Sequence, residues 1–359
     1  MPKVQRLAVR VGNLTIGGGA PVVVQSMTKT DTRDVKATIR QIRRLGRAGC
    51  ELVRVAVPDG AAAQALKEIR SQVAVPLVAD IHFDYRLALA AIKAGCEKVR
   101  INPGNIGASW KVEEIIRAAK DSGIAIRVGV NAGSIDKETL MRHRHPTAAA
   151  LLDSMAKALE PFEKLEFKTL VLSAKTTSVP ETVQVYRELY RRYPYPLHLG
   201  LTEAGLPLPG AVRSTAALSI LLSQGIGDTI RVSLTGDPVL EVRAAYELLA
   251  ALGLRRRGPV VYSCPTCGRT KIDVARIARQ VERAVRGLSR PLRIAVMGCV
   301  VNGPGEAREA DFGIAGGAGK GVVFAQGRVI KTCRESELVD ELLKAIRTTS
   351  KVSCPKSKV

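Results

Sequence analysis

From Pro21 onward the chain repeats one unit: a short apolar run, a polar or Gly/Pro-containing junction, then a stretch with helical spacing. The runs are Val22–Met27, Leu52–Val57, Leu77–Ile81, Val99–Ile101, Ile124–Val130, Thr169–Leu172, Leu197–Leu201 and Thr229–Leu234. Between them lie amphipathic segments such as Val35, Ile39, Ile42 and Leu45, closed by Gly46 and Gly49. Two more, Leu87–Ile92 and Val112–Ala119, end at Gly95 and Gly123. Runs that are continuously apolar, rather than alternating, belong to strands buried on both faces, as in a parallel sheet covered by helices. Eight such units predict an α/β fold, a (β/α)8 barrel of the TIM type. Periodicity does not show closure, so a doubly wound open sheet is the alternative. Against a dinucleotide fold, Gly17-Gly18-Gly19 precedes the first strand instead of following it.

Several of these strands carry a cation inside the apolar run: Val53-Arg54-Val55, Val99-Arg100-Ile101, Ile126-Arg127-Val128 and Ile230-Arg231-Val232. Side chains alternate across a strand, so where the apolar neighbours face the helices each arginine faces the barrel interior. Lys175 ends the sixth run and adds a fifth cation. Asp80 and Glu203 are the candidate counter-ions, which leaves a surplus of three positive charges. A buried guanidinium needs an anion beside it, and a diphosphate would supply the missing charge to Arg forks. Asn131, Ser233 and Thr235-Gly236 lie at strand C-terminal ends, where barrel enzymes build their sites. His82 reads equally as a core histidine or as a ligand. The bland alternative pairs each arginine structurally; four in equivalent places argue against it.

Arg255-Arg256-Arg257-Gly258-Pro259 breaks the pattern and reads as a linker. The expected division is a barrel domain over 1–254, a linker over 255–259, and a small α+β domain over 260–359 ending in a basic tail. In the second domain, strands are expected at Arg293–Met297 and Val322–Ala325 and helices at Val274–Arg286 and Ser336–Arg347. Gly313–Gly321 contains Gly319-Lys320, but Ile314 and Gly321 stand where a phosphate loop needs Gly and Ser/Thr, so a hairpin is expected there. This domain carries Cys264-Pro265-Thr266-Cys267-Gly268 and, further on, Gly298-Cys299-Val300-Val301-Asn302-Gly303-Pro304-Gly305-Glu306. A Cys-x2-Cys pair brings two thiolates to one metal centre, and Cys299, among turn formers, can supply a third. No second pair closes a zinc ribbon. Three thiols point to an iron–sulfur cluster with one iron differently ligated, Glu306 being the candidate for that weak, displaceable position. Zinc with Cys333 as fourth ligand, or incidental cysteines, are the alternatives.

The 359 residues carry a formal charge of +22, which attracts an anionic metabolite, an acidic protein or nucleic acid. Aromatics are only 4% and no nucleic-acid-binding signature accompanies the charge, so nucleic acid is the weaker reading. A zinc-stabilised basic RNA-binding protein is kept as the rival from another class. A radical S-adenosylmethionine barrel lacks its Cys-x3-Cys-x2-Cys. Met1–Arg6 holds no apolar signal run, and no stretch is long enough to span a bilayer. Seven cysteines without secretory features fit reduced thiols and a cytoplasmic protein with no membrane partner.

Taken together, Val53–Pro58, Val99–Asn105, Leu201–Gly205, Cys264–Thr270 and Gly298–Ala307 resemble the 4-hydroxy-3-methylbut-2-enyl diphosphate synthase family in its two-domain bacterial form. The resemblance runs from about Val22 into the second domain. It implies a [4Fe–4S] cluster on Cys264, Cys267, Cys299 and Glu306. It further implies reductive ring opening and dehydroxylation of 2-C-methyl-D-erythritol 2,4-cyclodiphosphate by two electrons in isoprenoid biosynthesis, with ferredoxin or flavodoxin as donor. Carried over residue by residue, Arg54, Arg100, Arg127, Lys175 and Ser233 hold the cyclodiphosphate, with His82, Asn131 and Arg231 nearby and Asn302 approaching from the cluster side. Asp80 and Glu203 become catalytic residues, Glu203 the acid/base, alongside Glu306. A homodimer in which one chain's cluster domain caps the other's barrel is implied as well.

Overall fold

A strand covered by helices on one side and by barrel interior on the other buries nearly every residue, and the barrel strands here do so except at a few positions near the cavity, such as Arg54, Ala56 and Asn131. The computed structural model describes residues 6–135, 137–288, 290–299, 309–317 and 319–349. It divides into two compact units, Met1–Arg255 and Arg256–Val359. In the first, a hairpin of β1 (Ala8–Val11) and β2 (Leu14–Gly17) precedes eight strands. These are β3 (Val23–Met27), β4 (Leu52–Ala56), β5 (Leu77–Asp80), β6 (Lys98–Ile101), β7 (Ala125–Asn131), β8 (Leu170–Lys175), β9 (His198–Leu199) and β10 (Thr229–Ile230). The sheet runs β8-β7-β6-β5-β4-β3-β10-β9, every neighbour parallel. A parallel bridge between Leu172 and Leu197 joins its two ends, so the barrel closes and the open-sheet alternative falls.

The eight expected strands are all present. The last two are shorter than Leu197–Leu201 and Thr229–Leu234 suggested. At Gly200 an added Cβ would stand 2.7 Å from the Arg231 carbonyl oxygen and 2.9 Å from Lys175 Nζ, so the backbones crowd together there. Helices start where a side chain can cap them. Asp34 accepts from the Ala37 amide to open Val35–Ala48, and Gly49 closes it at φ 104°, a left-handed cap that costs glycine little. That helix buries Thr38, Ile39, Ile42 and Leu45 against the barrel wall.

The hairpin was not expected. Its Val9, Val11 and Ile16 pack under the inward-facing Val23, Leu52, Val78, Ala125 and Val171, forming an apolar floor at the N-terminal end of the barrel.

The second unit holds one five-stranded sheet in sequence order: β11 (Val260–Ser263), β12 (Arg293–Met297), β13 (Phe312–Gly316), β14 (Lys320–Ala325) and β15 (Arg328–Arg334). The first three strands are parallel and the last two antiparallel. Helices Val274–Val285 and Leu338–Thr349 share one core with Ile294, Val296, Phe312, Ile314 and Val323. The glycine-rich stretch is the β13–β14 hairpin, as its departures from a phosphate loop required. No helix of the described residues is long and apolar enough to cross a membrane.

Candidate active site

Pleating decides which side chains enter the barrel. Val53, Val55, Val99, Ile101, Ile126 and Val128 join the core between strands and helices. Arg54, Arg100 and Arg127 therefore turn inward, and Arg127 is only 1% exposed. Ten of the barrel residues singled out above line one cavity of about 270 Å3: the five cations, Asp80, His82, Asn131, Glu203 and Ser233; Thr235 and Gly236 do not. A larger cavity, about 390 Å3, lies between the segment Asn102–Gly107 and the helix Ala148–Lys164. It gathers no comparable set of buried charges, and the smaller cavity is the chemical one.

Asp80 organises half of this site. One oxygen lies 3.3 Å from Arg100 NH1; the other lies 3.8 Å from Arg54 Nε and 3.4 Å from His82 Nε2. Burial works to raise its proton affinity, but Arg54, the His82 contact and Arg100 together hold the carboxyl well below the usual range. It stays ionised. Arg100 NH1 also approaches His82 Nε2 at 3.2 Å. Arginine only donates, so that nitrogen accepts from Arg100 when unprotonated and faces Asp80 when protonated. Burial lowers the Arg54 proton affinity, to about 10, while Asp80 pulls the other way.

The second buried carboxylate is not Glu203. Arg231 makes a two-pronged pair with Glu241, Nε to Oε2 at 3.2 Å and NH2 to Oε1 at 3.3 Å. Ser26 Oγ, the Leu234 amide and Lys29 Nζ also bind Glu241. Glu203 forms no ion pair among the described residues, which corrects its expected role as counter-ion. It sits on the cavity wall with a left-handed backbone at φ 50°. Such a conformation is unfavourable outside glycine and persists where the surroundings enforce it. They do so here: the Thr202 amide donates to Thr176, Arg213 donates to the Ala204 carbonyl, and the Thr235 amide to that of Gly205.

The rest of the charge is uncompensated. Burial first, then Arg54 and Arg100, depress the Arg127 proton affinity. A guanidinium keeps its proton nevertheless, so the cost remains as attraction for an incoming anion. Lys175 Nζ contacts His198 Nε2 at 3.3 Å; burial and the surrounding cations lower the proton affinity of both. Sequence reasoning missed Glu241, His198 and Lys98. Of these, His198 carried the alternation signal, between Leu197 and Leu199 in an expected strand, and Lys98 lies two residues before Arg100 and hence on its side of the strand.

In the second unit, Cys264 follows β11 directly and Cys299 comes just after β12, at the same end of two adjacent parallel strands. The Thr266 amide donates to Cys264 Sγ at 3.4 Å, and the Cys267 turn is closed by Thr270 and tied to Gly298 through the Lys271 amide. These cysteines are free thiols. No three side chains among the described residues converge closely enough to enclose a metal ion. The donor set still fits a soft iron centre: thiols on loops leaving one end of a sheet, one of them already accepting an amide hydrogen bond. Cys333 is excluded as a fourth ligand. It lies on β15, three strands from β12, which is about 14 Å at ordinary strand spacing. Asn302 and Glu306 lie outside the described residues.

Residues 6–246 match the GcpE TIM-barrel domain, and residues 260–348 match the GcpE protein C-terminal domain. The 4-hydroxy-3-methylbut-2-en-1-yl diphosphate synthase (flavodoxin) of Thermodesulfovibrio yellowstonii is 54% identical over 344 residues, 96% of this chain and 98% of that protein. The protein of the same name from Caldanaerobacter subterraneus subsp. tengcongensis is 53% identical over 348 residues, again 96% and 98%. Among solved structures, dihydropteroate synthase of Yersinia pestis superposes with a TM-score of 0.50 at 15% identity, over 69% of this chain and 98% of that one. That is a likeness of fold alone.

Proposed function

This chain belongs to the GcpE family through both of its domains, and from that premise we infer that it forms 4-hydroxy-3-methylbut-2-enyl diphosphate with electrons from a flavodoxin. The substrate in this reading is 2-C-methyl-D-erythritol 2,4-cyclodiphosphate. The observation that carries it is the cavity in which five cations, three of them almost fully buried, meet Asp80 and Glu241 as their buried carboxylates among the described residues.

Arg54, Arg100, Arg127, Arg231 and Lys175 grip the phosphate oxygens, with Ser233 and Asn131 donating or accepting at the rim. The geometry favours product-like charge. In the cyclic substrate each phosphorus bears one ionised oxygen, whereas the opened diphosphate bears more negative charge. A fixed cationic lining therefore binds the bond-breaking state better than the ground state, which is what lowers a barrier. Asp80 does not shuttle protons; it keeps Arg54, Arg100 and His82 in place. Glu203 is the acid/base that protonates the departing hydroxyl as water.

Cys264, Cys267 and Cys299, with Glu306 as the weak fourth ligand, would hold a [4Fe–4S] cluster, which would supply electrons one at a time. Asn302 is assigned a part in substrate binding. Arg127→Met is the direct test of the cavity. Titrating cyclodiphosphate into oxidised enzyme, without reductant, should show binding weakened at least about 100-fold, the loss expected when a buried charge-assisted contact goes. Unchanged binding would remove the assignment.

A further inference from the structure

One cation in the barrel has no part in the site described so far. Lys98 opens β6 two residues before Arg100, so both side chains enter the barrel, Lys98 one step nearer the floor. It is fully buried, and its Nζ meets no hydrogen-bond partner. Its register neighbours are apolar, Val78 on β5 and Ala125 on β7. The charged groups acting on it are Arg127 of β7 and Arg54 of β4, both repelling it, and no carboxylate is among them. Across the interior, His198 of β9 feels Lys98 as a further positive neighbour. Asp80, on the adjacent strand, is taken up by Arg54, Arg100 and His82.

An ammonium group in such surroundings is strongly disfavoured, so burial without a partner favours the neutral amine at Lys98 until an anion enters. The depression of its proton affinity comes from burial first, then from Arg127 and Arg54. Substrate reverses the balance. A cyclodiphosphate brings fixed negative charge into the cavity above Lys98, and in a poorly screening interior that charge acts across a layer of side chains. We propose that Lys98 takes up a proton from solvent when the anionic substrate occupies the mouth, and becomes a positive charge one step beneath it. Lys98 is thus a positioning residue that tunes the match between the pocket and a multiply charged ligand. The inference rests on the reading of this mouth as the cyclodiphosphate site.

The test is calorimetric titration of 2-C-methyl-D-erythritol 2,4-cyclodiphosphate into the cluster-loaded enzyme without reductant, in buffers of differing ionisation enthalpy. The phosphate oxygens of the ligand are ionised throughout the neutral range, so any proton consumed goes to the protein. Lys175 can also gain one by direct contact, and so the difference between variants is the readout. Wild type should consume protons at about pH 8, and Lys98→Met should consume fewer, by roughly half a proton or more. A group whose pKa is raised by ligand makes affinity fall as pH climbs from its empty to its liganded pKa, so the fall should be shallower in Lys98→Met. Replacing a buried amine by an uncharged thioether of similar shape leaves the melting temperature equal or higher, which a purely structural role would not allow. Should that variant fail to fold, Lys98→Gln serves in its place. Binding with equal proton consumption in wild type and variant overturns the inference alone. No binding by wild type overturns the cyclodiphosphate reading and the inference with it.

Discussion

Asp80 illustrates how one carboxylate can govern several cations. Asp80→Asn would leave Arg54 and Arg100 buried without their counter-ion, at a cost of about 3 kcal/mol in urea unfolding near pH 7. The pH dependence has a definite sign. The folded-state pKa lies below that of the unfolded chain, so the contribution of Asp80 is complete above about pH 4 and is lost as pH falls below that. The gap between wild type and Asp80→Asn should therefore narrow in acid; a constant gap down to pH ~3 contradicts the assignment. Glu203 makes a different prediction. Glu203→Gln should lower kcat by about 100-fold or more with KM little changed, because proton transfer is lost while the cations remain. Thiols provide an independent check on packing. Burial pushes Cys50 and Cys96 up to about 12, so in metal-free protein an alkylating agent should modify the exposed Cys267 long before either.

At the scale of the element, β7 shows why the cations were legible and their supports were not. A strand alternates with a fixed period of two, so an arginine among valines and isoleucines announces which way it points. Gly129 in the same strand looks in sequence like a weak point. In the fold it is the space that Arg100 occupies: an added Cβ would stand 2.9 Å from both Arg100 Nε and Ser173 Oγ. Gly129→Ala should displace that guanidinium and raise KM about tenfold or more while the barrel still folds. Glu241 was illegible for the opposite reason. It lies in the first turn of the helix Pro238–Ala251, where an acid is favoured whether or not it reaches inward. In sequence Glu203 reads as the counter-ion because, on a linear chain, every carboxylate just past a strand looks alike. The hairpin β1–β2 buries alternate residues along β1 but precedes the strand–helix repeat and shares none of its pattern.

For the molecule as a whole, eightfold repetition made the barrel legible, whereas nothing in the repeat could show that its floor was sealed. The charge of +22 suits an acidic redox partner, so the rate of reduction by flavodoxin should fall with ionic strength in stopped-flow measurements; a salt-independent rate would assign the charge elsewhere. Prepared without oxygen, the chain should be brown with about four irons.

The apolar floor made by Val9, Val11 and Ile16 has one more outcome. A vessel stoppered at its base has a single doorway, so spent and fresh molecules must queue for it. The end product should then act as a strictly competitive inhibitor toward the starting compound, and a mixed inhibition pattern would mean that the stopper leaks.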